Sequence, residues 1–252
     1  MKVLVTVKPV ADPNTPPAAW IAAQQGKPTG EVNHVANYFD LIAVEQAIRL
    51  KDVGVDDICI VSITGDDKMA QVRSAIAMGA NRAILIDPEG KALEWHQIAA
   101  ALKHVVEQEQ PAFVLMGKQA TDDDASQVGS ILAGMLGWPQ ATFVSEMEFN
   151  ADRTRVKVGR ETDEGVEVLD VKLPAVITCD LRLNEPRYAT LPNLIKSKKA
   201  PLERFKFSEL GIAADPQVTV EGFALPAGRS GECRMVKDAD ELVGVLKEMK
   251  LV

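Results

Sequence analysis

A doubly wound α/β fold, with a mostly parallel sheet and helices on both faces, is predicted by three features of this sequence. Short, nearly continuous apolar runs rich in β-branched residues recur at 3–7, 57–63, 82–86, 112–116 and 175–179, the pattern of strands buried on both faces. The segments between them carry apolar residues at helical spacing. A later pair of alternating runs breaks that rhythm and predicts an added antiparallel hairpin.

The run VLVTV opens the sheet. Leu41, Val44, Ala47 and Ile48 then form the stripe of a first helix, and the strand at 57–63 follows it. Met69, Val72, Ile76 and Met78 mark a second helix, which Gly79 closes as a C-terminal cap before the strand at 82–86. Ile98, Leu102, Val105 and Val106 give a third. Val128, Ile131, Leu132 and Met135 give a fourth, ended by Gly137. After Trp138, alternation at 154–158 and 166–171 around the turn ETDEG reads as a hairpin at a sheet edge or on an arm. From Ala200 the chain turns irregular, with Pro201, Pro216 and Pro226 spacing weak strand signals before an amphipathic helix at 238–249. Residues 1–200 are thus expected to form the α/β domain. Residues 201–252 form an arm too poor in apolar side chains to hold its own core, which must lie on its own domain or on a partner.

Composition narrows the function. With 252 residues, 46% hydrophobic and 25% charged, the chain can bury a full core. Its formal net charge of -8 and scattered basic residues leave no footprint for a phosphate backbone, so nucleic acid is not an expected partner. Cys59, Cys179 and Cys233 are far apart, against disulfides and a cysteine metal site. The opening MKVLVTVK is too short an apolar run for a signal peptide, and no stretch reaches the ~20 apolar residues of a membrane span. A soluble protein of a reducing compartment, without membrane insertion, is expected.

Two connections carry chemistry. Beyond the strand at 112–116 lies GKQATDDDASQVG, residues 117–129, opening into a helix whose free N–H groups can seat a phosphate; equally, Thr121, Asp122 or Asp123 can simply cap that helix. Three aspartates repel an anion, so a nucleotide there needs backbone donors or a mediating cation. Facing it are residues 6–8 and the turn NYFD, where Asn37 can read a purine edge and Phe39 lie on a ring, or Asp40 cap a helix with Phe39 as its staple. The second connection, DLRLNEPRYATLPN at 180–193, packs two prolines, two arginines, Tyr188 and Leu191 together. Its prolines restrict the loop's conformations and favour presentation to a partner, although Leu191 can also pack inward at the start of a helix. His96 and His104 are eight residues apart on one helix, too far for the i, i+4 pairing of a metal site. No catalytic group can be nominated.

At these residues the sequence resembles the β subunit of electron transfer flavoprotein. GKQATDDDASQVG is similar to that family's nucleotide-binding turn, IAVEQAIRLK to its first helix, AIAMGANRA to a helix-to-strand junction and DLRLNEPRYATLPNLIKSKK to its partner-recognition segment. The resemblance implies a heterodimer whose α subunit carries most of one FAD, while this chain holds AMP and lends a wall to the flavin site. It implies an electron carrier without substrate turnover of its own, taking electrons from flavin-containing dehydrogenases and passing them to a quinone oxidoreductase or another acceptor. The compartment implied is a bacterial cytoplasm or a mitochondrial matrix.

Carried onto this numbering, the resemblance places cofactor contacts at Thr6, Asn37, Tyr38, Phe39, Asp40 and Ile63. In the turn it places them at Gly117, Lys118, Gln119, Ala120, Thr121, Asp122, Asp123 and Asp124, and onward at Ala125, Ser126, Gln127 and Val128. A recognition loop at 183–196 would meet partners through Arg187, Tyr188, Leu191, Pro192 and Lys196, with Leu191 as anchor. Ser126 and Val128 depart from the family's frequent Asn and Thr, Tyr38 from its proline, and residues 11–20 lack its tyrosine near Pro13. Two rival functions share this sheet: an electron-bifurcating relative with a second FAD in place of AMP, and a nucleotide-adenylating or nucleotide-hydrolysing enzyme.

Overall fold

The computed structural model describes residues 1–24, 32–213, 217–225, 227–228 and 233–252. Its elements begin with β1 (Lys2–Thr6), β2 (Pro9–Ala11), α1 (Pro17–Gln24), β3 (His34–Ala36) and α2 (Tyr38–Arg49). They continue through β4 (Asp57–Ile63), α3 (Met69–Gly79), β5 (Arg82–Asp87), α4 (Trp95–Glu109), β6 (Phe113–Gly117) and α5 (Val128–Leu136). Then come β7 (Gln140–Phe149), β8 (Arg155–Thr162), β9 (Gly165–Lys172), β10 (Val176–Cys179), α6 (Leu191–Ser197), β11 (Leu202–Lys206) and α7 (Ala239–Glu248).

Among the described residues one sheet has the order β11-β5-β4-β1-β6-β10-β7-β8-β9, and β2 pairs with β3 in a small antiparallel sheet. Pairing is parallel from β11 across to β7 and antiparallel between β7, β8 and β9. Period-2 side-chain alternation explains the double burial. Val3, Val5, Ile58 and Ile60 share one core with Ile42 and Val44 of α2 and Val72 of α3. Their neighbours Leu4, Cys59 and Val61 share the other with Ala99 and Leu102 of α4 and Leu132 of α5. The expected α/β fold with helices on both faces is what forms.

Differences fall where burial is partial. β7 was not anticipated: its side chains are unevenly buried, and its register shifts on both sides, so no clean period survives. The expected hairpin is β8 and β9, which with β7 forms an antiparallel end to the sheet. β11 lies in the stretch read as irregular; an edge strand with mostly half-exposed or exposed side chains needs no apolar run, yet it pairs parallel with β5. The break at 200 therefore falls inside the sheet, and residues Met1–Glu221 form one compact unit, with Gly222–Val252 a second. In that second unit Asp238 caps α7 by accepting the Glu241 N–H at 2.9 Å. Pro216 and Pro226 lie outside the described residues. Met135, assigned to a buried stripe, is exposed on α5.

At the amino ends of the strands, Arg82 donates to Asp57 and Glu109, and Lys2 donates to Glu109 at 2.7 Å. Hydrogen bonds from Arg82, and then from Lys2, pull the Glu109 carboxyl from 4.5 down to about 2. A depressed carboxylate contributes stability that is complete above 4.5 and is lost as pH falls toward 2. Glu109→Gln should lower the urea midpoint at pH 7 and flatten its decline across that acid window; a wild-type pH profile in the variant would refute this role for the cluster.

Candidate functional site

Chain winding reverses at β1, whose neighbours are β4 on one side and β6 on the other. Loops leaving the carboxyl ends of β1 and β6 consequently diverge and leave a crevice. A cavity of about 770 Å³, counted with its open mouth, lies there, lined by Thr6, Lys8, Asn37, Asp40, Ile63, Trp95 and Ile98 and by most of residues 117–129.

Asp40 ties the crevice together. Its buried carboxylate accepts the backbone N–H of Lys8 at 2.8 Å and that of Gly117 at 2.9 Å, joining the ends of β1 and β6. Burial pushes its pKa up to about 6, against the lowering pull of those two N–H groups. Only glycine fits at 117, since a Cβ there would sit 2.6 Å from the Asp40 carboxylate. The helix cap falls at Asn37 instead of the expected Asp40, yet the Asn37 side chain does not cap. It donates to the Gln119 carbonyl at 2.8 Å and accepts from the Thr121 N–H at 3.3 Å, so α2 holds the turn in place.

In that turn Asp124 and Ser126 take left-handed backbone angles, φ 48° and 54°, a cost that non-glycine residues bear where the surroundings fix the chain. Its end, at Gln127, provides no side-chain cap for α5, so among the described residues the first N–H groups of the helix are left without a cap from that side chain. Lys8 reaches across to Asp122 at 2.8 Å and Asp123 at 3.4 Å. The Trp95 indole N–H donates to Asp123 at 3.1 Å, and Gln119 donates to Asp124 at 2.7 Å. Burial would raise the Asp123 carboxyl, but Trp95 and Lys8 outweigh it and hold the group below its ordinary value. Lys8, from the loop after β1, thus offsets part of the turn's negative charge.

Of the residues anticipated for cofactor contact, Thr6, Asn37, Asp40, Ile63, Gly117, Lys118, Gln119, Ala120, Asp123, Ala125, Ser126, Gln127 and Val128 line this cavity. Tyr38, Phe39, Thr121, Asp122 and Asp124 lie outside its lining. Tyr38 is half exposed at the start of α2. Phe39 is buried beneath the Lys118 ammonium, which bonds Asp180 at 2.8 Å and stands 5.4 Å from the Phe39 ring and 4.9 Å from that of Phe143. Sequence reasoning missed Trp95 and Ile98, which arrive from the start of α4 with no motif to announce them.

The second connection is fastened to α2. Asn184 donates to the Ile42 carbonyl at 3.1 Å and Arg49 to the Glu185 carbonyl at 3.3 Å. Arg187, expected to meet a partner, turns its guanidinium onto Glu45, with Nε at 2.6 Å and the second nitrogen at 2.9 Å. Beyond this anchor Tyr188 is 97% exposed and Leu191 71% exposed, with Pro192 and Lys196 also at the surface. Leu191 does open α6, behind the Thr190 cap and with Pro192 in the first turn, but its side chain faces solvent.

The electron transfer flavoprotein domain model matches residues 29–210. An electron transfer flavoprotein subunit beta from Bradyrhizobium diazoefficiens is 43% identical, with 98% of each chain covered. The chain belongs to the electron transfer flavoprotein β-subunit family. Its human relative is 41% identical over 99% of this chain and 98% of that one, and the mitochondrial subunit of Arabidopsis thaliana is 39% identical over 98% of both. The loop clasp and the Asp40 clamp described above are therefore features of a β subunit.

Asp40→Asn leaves one of two buried N–H groups facing an amide NH2. It should destabilise the fold by about 1–3 kcal/mol in urea denaturation. The wild type should also lose stability as pH rises from 3.8 to about 6, because its folded pKa is raised, and the variant should lack that decline. An unchanged midpoint would exclude the clamp.

Proposed function

We propose that this β subunit binds AMP in the crevice between β1 and β6 and lends a wall to a FAD site completed by an α subunit. It docks flavin-containing dehydrogenases through residues 183–196, so that electrons pass to a quinone oxidoreductase or another acceptor. The crevice carries this reading: uncapped N–H groups of α5 and the Ser126 hydroxyl suit a phosphate, Lys8 offsets the aspartates, and Ile63 and Ile98 offer apolar walls for a base. Val128 can contribute only its backbone N–H. The chain acts as an electron carrier with no turnover of its own, in a bacterial cytoplasm or a mitochondrial matrix. Bound FAD supplies the redox chemistry, while this chain binds, orients and shields. Residues Gly222–Val252 form an arm for the α subunit.

AMP serves structurally. A ligand bound by the folded form alone stabilises it by about 2.7 kcal/mol at a hundredfold excess over Kd. Denaturing the purified heterodimer should release one FAD and one AMP; two FAD would favour the bifurcating alternative, and release of no adenylate would reject the reading. Refolding the two subunits without AMP should give less flavin-binding heterodimer than refolding with it. Leu191→Ala should weaken dehydrogenase docking by ~2 kcal/mol, read as a raised Kd, if the leucine is an interface anchor; unaltered affinity would deny it that role.

A further inference from the structure

We infer that Glu45 is a positioning residue for the docking loop: its carboxylate fixes Arg187, and through it Tyr188 and Leu191, in the form a partner meets. The Glu45 side chain is only 3% exposed, on α2. It accepts Arg49 Nε at 2.8 Å, Arg187 Nε at 2.6 Å, the second Arg187 nitrogen at 2.9 Å and the Arg187 backbone N–H at 3.3 Å. Glu45 is buried while Arg187 and Arg49 are half exposed, so loss of Arg187 leaves the buried carboxylate with Arg49 as its one paired arginine, costlier than losing a fully exposed ion pair. Arg187 is thereby held to α2, and Asn184 and Glu185 are tied to the same helix by their own bonds. Tyr188 follows directly, and two residues later the Thr190 cap starts α6 at Leu191. The exposed anchors accordingly stand on a base ordered before docking, which reduces the ordering entropy a complex must meet. Arg187 acts inward, through Glu45, and not by touching the partner.

The inference rests on the docking role proposed above, but loop order can be measured without it. Glu45→Gln, Arg187→Ala and the double variant, each as the purified heterodimer, are compared by amide hydrogen exchange and as electron acceptors for a flavin-containing dehydrogenase from the same source. Arg187 is half exposed, so its truncation spares the core. Exchange at 184–190 should quicken about tenfold in each single variant, and KM for the heterodimer should rise about five- to tenfold with kcat near wild type. The double variant should show no further change in either measure, as expected of one coupled pair. Unaltered exchange would overturn the inference. So would additive KM effects, since they would mean that Arg187 contacts the partner independently. If the wild-type heterodimer accepts no electrons, the docking role fails and hydrogen exchange alone decides whether Glu45 orders the loop.

Discussion

The architecture depends on how closely two strand ends can approach beneath one buried carboxylate. β1 and β6 are adjacent parallel strands whose next connections leave in opposite directions, and an N–H group at the end of each, that of Lys8 and that of Gly117, is directed at α2. Asp40 accepts both. Because Gly117 has no side chain, α2 can come near enough for this bridge, and because α2 sits there, Asn37 reaches the turn that follows β6. Turn shape, crevice and helix placement are consequences of one contact.

The same helix organises a second region. Its first residues hold the turn after β6, while Ile42, Glu45, Gln46 and Arg49 along its length receive the loop after β10. Two surfaces with different work thus share one rigid support, itself packed between β1, β6 and the loop. Electrostatics differ between them: the crevice is acidic, with Lys8 bonded to two of its aspartates, whereas the loop is held by arginines folded back onto a carboxylate.

What could be read from the residues follows their burial. β1, β4, β5, β6 and β10 are covered on both faces and show as apolar runs. β2, β3, β7 and β11 lie at edges or pair irregularly and carry no such signal. From its own residues the turn at 117–128 reads equally as a phosphate seat or a plain helix cap, and only the family likeness points to a nucleotide. Its stabilising contacts were not recognisable, since Asn37 and Gln119 are 82 positions apart and Arg187 and Glu45 are 142 apart. Pairings so distant leave no local pattern, which is why the bond from Arg187 to Glu45 could not be read from the residues.

Trp95 has a consequence of its own. An indole whose N–H is bonded to a carboxylate emits at a wavelength sensitive to that bond, and here the carboxylate belongs to the turn lining the crevice. With only three tryptophans in the chain, substituting the other two would leave a built-in optical gauge of the crevice, readable without any attached dye.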